Sequence, residues 1–303
     1  MRARRPEKHP SHDHLAFNTI AWWSAKTEDV MRELARIGYG AVELAAHPQA
    51  LPPSGLTPSR AAALRRMASK VGLKIAALNL TAPYLLGETP FEPSLVAPHP
   101  AQRKIRIDLL QRGIEFAADL GAPLVVIASG SPSPDITRMT AFCHLLDGLE
   151  ACAELARRSG VRIALKPLPF SLIGNYRDFL EVWNAFEGPP LGLCFDIAGS
   201  RCAFEDIEDV ISDAPDIVHV HIADTRNRDM QHLIPGNGHI DFVPALRALQ
   251  RRGYEGAIAV NLPAHSLDPA RAALIARAQL LKLWPPHNSA PHPAPEEQAA
   301  PCR

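Results

Sequence analysis

No stretch of this chain approaches the roughly 18 consecutive apolar residues of a membrane-spanning helix. The basic start, Met1 to Arg5, is followed by no apolar segment of the kind a secretory leader carries. Cysteine is scarce: the five residues (Cys143, Cys152, Cys194, Cys202 and Cys302) include no CxxC pair, which excludes a zinc ribbon and suits reduced thiols. An excess of either charge is missing too, since 32 Lys and Arg balance 32 Asp and Glu. That balance argues against broad electrostatic capture of nucleic acid or an anionic membrane. A soluble, cytoplasmic protein with no nucleic-acid or membrane partner is therefore expected.

What the chain does have is a large apolar fraction, 47% over 303 residues, enough for one large α/β barrel or two ordinary domains. Short apolar runs at residues 15–20, 41–44, 73–80, 123–128, 162–166, 191–196, 217–223 and 257–262 read as strands. Amphipathic segments separate them, for example at 27–37, 58–70, 103–120, 137–158, 176–186 and 242–251. Several close on a glycine (Gly38, Gly72, Gly121, Gly160, Gly253), a common helix stop. This rhythm predicts a single (β/α)₈ TIM barrel over residues 15–284. A doubly wound sheet would show a glycine-rich phosphate turn after its first strand, and residues 18–23 have none. The His- and Pro-rich ends, 1–14 and 285–303, read as disordered tails. The Pro-rich stretch 88–100 reads as a rim or lid over the barrel mouth.

The strand tips carry the chemistry. The fifth apolar run ends in Lys166, the sixth in Asp196, the seventh in His221 and Asp224, and the eighth in Asn261. In a parallel barrel such tips converge on one mouth. Strand alternation puts His219 and His221 on one face, with His221 nearer the mouth and His219 read as a satisfied core histidine.

The series Gly40-Ala41-Val42-Glu43-Leu44, His219-Val220-His221-Ile222-Ala223-Asp224, Pro235-Gly236-Asn237-Gly238-His239-Ile240-Asp241-Phe242 and Gly253-Tyr254-Glu255-Gly256 resembles the xylose isomerase-like, or sugar phosphate isomerase/epimerase, barrels. The resemblance implies an isomerase or epimerase whose divalent metal is held by Glu, Asp, His and Glu from the last four strands. Asp196 and His221 match that pattern, whereas Lys166, Gly199 and Asn261 stand where the first Glu, an extra His and the last Glu would be. A dication about 4 Å from the Lys166 ammonium would face a repulsion of roughly 8 kcal/mol at an effective dielectric near 20. No metal or other cofactor is therefore expected. If a metal is held, Asp196 and His221 would be its ligands, with a loop group such as Asp229 or His232.

These residues suggest proton transfer next to a carbonyl, as an isomerase or lyase, on a small polyhydroxylated or cyclic substrate. Lys166 would stabilise the oxyanion, while Asp196 and His221 serve as base and acid. Glu43 is a further acid/base or hydroxyl ligand, and Asn261 and Asn79 hydroxyl-binding amides. Arg226 and Arg228 are anion grips, and Trp22 or Trp23 stacks on a ring or packs in the core. The rival readings are a catalytically silent barrel, in which Lys166 is a structural partner of Asp196 and the chain binds a ligand or supports a partner, and an isomerase with a reduced metal set. A homodimer is an expected assembly for such barrels.

Overall fold

The computed structural model describes residues 14–284 apart from 187 and 189. The expectation of disordered ends therefore falls, His14 excepted, outside the described residues. Eight parallel strands close into one barrel in sequence order: β1 Leu15–Asn18, β2 Ala41–Ala45, β3 Lys74–Asn79, β4 Leu124–Ile127, β5 Arg162–Leu165, β6 Leu191–Asp196, β7 Ile217–Ile222 and β8 Ile258–Val260. The closure β1–β8 pairs Ala16 with Ala259 and Phe17 with Val260. Around the barrel lie α1 Thr27–Ile37, α2 Pro58–Val71, α3 Pro100–Leu120, α4 Arg138–Ser159, α5 Tyr176–Phe186, α6 Ile197–Cys202, α7 Ile207–Asp213, α8 Phe242–Arg251 and α9 Pro269–Leu283. Three of these, α6, α7 and α9, are not among the helices read from the sequence. The first two are short, and α6 is built of small residues that the apolar period does not single out.

The period of two along each strand divides the residues between two environments. Phe17, Val42, Leu44, Leu78, Leu165, Phe195, Val220 and Val260 face the helices and join the main core. The alternate positions fill the bore mostly with small side chains, Ala16, Ala41 and Ala259 in one cluster and Ala77, Leu124, Val126, Ala164 and Cys194 in another. The same face carries Asn18, Glu43, Asn79, Lys166, Asp196, His219, His221 and Asn261, all buried. Burying that many polar groups is stable only when they satisfy one another.

Two devices hold the loops at the barrel mouth. Arg106 on α3 donates to the carbonyls of Pro93 (2.7 Å), Phe91 (2.9 Å) and Leu80 (3.4 Å), stapling the long β3–α3 loop against the mouth. Burial lowers this guanidinium to about 10, so it stays charged at neutral pH. The loop forms part of a cavity wall, as its Pro-rich composition suggests. At the other side, Asp224 accepts from the backbone N–H groups of Gly236 (2.9 Å), Gly238 (2.7 Å) and Ile240 (3.1 Å). A Cβ on Gly238 would lie 2.2 Å from the Asp224 carboxylate, so only glycine fits there.

Candidate active site

Lys166, one residue beyond β5, places its Nζ 2.6 Å from Oδ2 of Asp196, and both side chains are almost completely buried. The other Asp196 oxygen, Oδ1, accepts from the Gly199 N–H at 2.9 Å and so caps the start of α6. Each carboxylate oxygen thus has its own partner. Burial works against both charges. For Lys166 the Asp196 carboxylate outweighs it, leaving the ammonium above its ordinary value. For Asp196 the ammonium outweighs it, holding the carboxyl at about 2. The pair is ionised at neutral pH.

Beneath this pair, Glu43 is fully buried and receives four side-chain donors. Asn79 Nδ2 lies 2.6 Å and Asn18 Nδ2 3.2 Å from Oε1, and the Nε2 atoms of His219 and His221 lie 2.9 and 2.8 Å from Oε2. Burial would raise this carboxyl, but the two imidazoles hold it well below the usual range. Because an ionised carboxylate only accepts, both Nε2 atoms must carry their protons. Burial, opposed by Glu43, lowers His221 as well, so its ring is neutral. The tautomer leaves a lone pair on His221 Nδ1, which lies 4.0 Å from Asp196 Oδ2. His219 thus gives its Nε2 proton to Glu43 but leaves its buried Nδ1 without a hydrogen-bond partner, short of the satisfied core histidine that strand position suggests, and His221 shares the carboxylate. Glu43, His219 and His221 also form the one compact group of potential metal-ligand atoms among the described residues, within 4.8 Å of each other.

Above the pair opens a cavity of about 340 Å³. Lys166 and Asn261 form part of its wall, together with His232 from the β7–α8 loop. The Asn261 Oδ1 accepts from Asn18 at 3.2 Å, leaving its NH₂ group for the cavity side. His232 is mostly buried, and burial lowers it to about 4 while Asp196 opposes the shift and Lys166 adds to it. Its imidazole is neutral at pH 7.

The structure thus brings Lys166, Asp196, His221, Glu43, Asn79 and Asn261 together, but only Lys166 and Asn261 of these reach the cavity wall. Three residues expected to bind substrate lie elsewhere. Arg226 donates to the Asn237 carbonyl at 2.7 Å, and Arg228 stacks on the Phe204 ring at 4.0 Å. Trp22 packs edge-on against Phe17 with ring centroids 5.0 Å apart, while Trp23 is partly exposed beside His47. Asn18 and the placement of His232 go beyond the sequence reading. Asn18 is the last residue of β1 on the bore face, and strand alternation would have found it. The reach of His232 is set by a loop that no periodicity describes. Asp229, the other loop residue considered, is exposed.

The sequence profile of the xylose isomerase-like TIM barrel family matches residues 31–283. The chain belongs to this family. Among solved structures, a D-tagatose 3-epimerase-like protein superposes with a TM-score of 0.75 at 20% identity, covering 89% of this chain and 96% of that one. The structure described as IOLI protein with a binding zinc atom gives a TM-score of 0.73 at 20% identity over 89% and 97% of the two chains. Likeness at this identity speaks for the fold. A curated relative, the L-ribulose-5-phosphate 3-epimerase UlaE of Shigella boydii, is 24% identical over 179 residues, 58% of this chain and 63% of that enzyme. The match thus spans less than two thirds of that relative's length. The names of the first and last of these, D-tagatose 3-epimerase-like protein and L-ribulose-5-phosphate 3-epimerase, specify sugars, and no described helix is long and apolar enough to cross a membrane.

Proposed function

We propose that this barrel is an isomerase or epimerase that moves a proton next to a carbonyl without a divalent cation, the Lys166 ammonium acting as the electrophile. One observation carries the reading: Lys166 sits in the cavity wall, 2.6 Å from Asp196, at positions the family resemblance assigns to metal ligands. An ammonium on that carboxylate oxygen occupies the place and the charge of a cation, so the residues there do not fit one. The group formed by Glu43, His219 and His221 is compact, but its carboxylate already accepts four N–H donors. A cation there would have to displace the two Nε2 protons, and it would lie in the bore rather than in the cavity wall.

In the proposed step the substrate carbonyl oxygen accepts from Lys166 Nζ, with the Asn261 amide as a second donor. Neutral His232 takes the proton from the adjacent carbon, giving an enolate and an imidazolium. After the enolate turns in the cavity, return of the proton to the opposite face of the same carbon gives the epimer. Return to the former carbonyl carbon, with the neighbouring hydroxyl proton passing to the former carbonyl oxygen, gives the isomer. Asp196 keeps Lys166 protonated, so the developing oxyanion always meets a full positive charge. The epimerase names among the relatives favour this class of chemistry over a lyase reaction.

The test combines elemental analysis of the purified protein with solvent-deuterium incorporation into a panel of ketoses and cyclic ketones, followed by NMR. The expected result is exchange that survives exhaustive chelation. Activity lost on chelation and restored by manganese or zinc would overturn the proposal. Binding without exchange by any compound would favour a silent, ligand-binding barrel.

A further inference from the structure

The cavity walls differ from what a sugar requires. A ketohexose carries a hydroxyl on nearly every carbon, and each loses its water partners on burial, so its pocket must supply donors and acceptors all round. Here most of the wall is apolar: Ile20, Leu80, Leu168 and Met230 line it, with Phe91 and Phe170 from two different loops. Several polar groups in the wall are already engaged. Thr81 Oγ1 donates to Asn79 Oδ1 at 2.7 Å, and Ser171 Oγ lies within hydrogen-bond distance of the Leu168 and Ile173 carbonyls. Arg106 is held by its three carbonyls. What remains is Lys166, His232 and Asn261, with the buried, unpartnered Ser94 hydroxyl and Ser131 at the exposed rim.

The charges are accounted for as well. Lys166 is neutralised by Asp196, and Arg226 and Arg228 lie outside the cavity wall. Of the two cations in the wall, Lys166 is paired with Asp196 and Arg106 turns three of its N–H donors to the carbonyls of Leu80, Phe91 and Pro93, which leaves no preformed phosphate grip.

The two phenylalanines add a separate observation. Phe91 and Phe170 have φ of 65° and 72°, a left-handed backbone that bulky residues rarely adopt. Phe170 is 92% exposed and Phe91 40% exposed. Strained backbone that presents an aromatic ring to solvent at the edge of a cavity suits a contact made when a ligand arrives.

We infer that the occupant is a small cyclic ketone with a mainly apolar ring and no phosphate, its carbonyl oxygen against Lys166 and its ring flanked by Phe91 and Phe170. This rests on the proposed proton-transfer chemistry and narrows its substrate class. The cavity volume, about 340 Å³, lies at the small end of the range for ligand pockets and suits a single ring with short substituents.

Saturation-transfer NMR with 2-hydroxycyclohexanone, D-fructose and D-ribulose 5-phosphate as separate probes tests the inference on the full chain. The ring ketone should receive saturation, and neither sugar should. Phe91→Ala combined with Phe170→Ala should weaken ring binding about tenfold, with melting temperature unchanged because both rings are at the surface. Tighter binding of either sugar than of the ring ketone, or ring binding unchanged in the double variant, would overturn the inference. Failure of the underlying chemistry has a different signature. If the ring ketone binds but its α-proton does not exchange with D₂O, the substrate class stands and the proton-transfer reading falls. If D-fructose exchanges instead, the chemistry stands and the substrate class falls.

Discussion

The bore and the cavity above it share a boundary, the Lys166–Asp196 pair, and are built from opposite materials. Below the pair, polar side chains direct four N–H donors onto Glu43, with the Nδ1 atoms of His219 and His221 left unpartnered. Above it, apolar walls surround a few polar groups that still have bonds to offer. Buried polar groups that are fully paired contribute order and stability, whereas those left with free donors are available for chemistry. Burial alone, similar in the two regions, does not separate structural from reactive groups.

The largest test of that contrast lies on the boundary. Lys166→Met should lower proton exchange by about 10³-fold, the upper range for loss of an oxyanion donor. It should also destabilise the fold by about 3 kcal/mol, because Asp196 is left buried and unpaired. Adding Asp196→Leu should recover stability in urea titration without recovering exchange; joint recovery of both would show that the ammonium only fills space. His232→Gln should affect only the cavity. Exchange should fall about 10²-fold with stability within about 0.5 kcal/mol of the parent, and an unchanged rate would remove His232 from the reaction.

Glu43→Gln should do the reverse. Its amide cannot accept all four donors, so unfolding free energy should drop by about 2 kcal/mol. The Michaelis constant of the ring ketone should change little, and a large change would join bore and cavity into one functional unit. The smallest effect concerns pH. A base must be unprotonated to act, and the His232 imidazole is lowered to about 4. The pH profile of kcat/KM should therefore stay level from neutrality into mild acid and fall only as pH drops through about 4. Lys166, raised above the ordinary lysine value, should give no alkaline loss below that value. An acid limb near pH 6.5, the unperturbed histidine value, would point to a different base.

How much of this was legible in the sequence depended on what fixes each residue. Glu43, Asn79, Asp196, His221 and Asn261 lie on strands or at their tips, and the convergence of parallel strand ends on one mouth brought most of them into view, with the period of two separating His221 from its neighbours. The barrel followed from the same alternation joined to helical segments that end in glycine, such as Gly38 after α1. Arg226 and Arg228 were not legible, because a guanidinium on a loop takes whichever carbonyl or ring lies nearest, here Asn237 and Phe204. His232 escaped for a related reason, since its position follows from tertiary hydrogen bonds and not from local spacing.

The carboxylate of Asp224 ties one sequence motif to another, the end of His-x-x-Asp to the glycines of Pro-Gly-x-Gly-x-Ile. A segment this long between strand and helix would otherwise flap. Clamped at both ends, it serves as a fixed bracket that carries an imidazole to the mouth. Grafting the seventh loop between relatives should therefore succeed only when both motifs travel as a unit, because either half alone leaves the bracket unlatched.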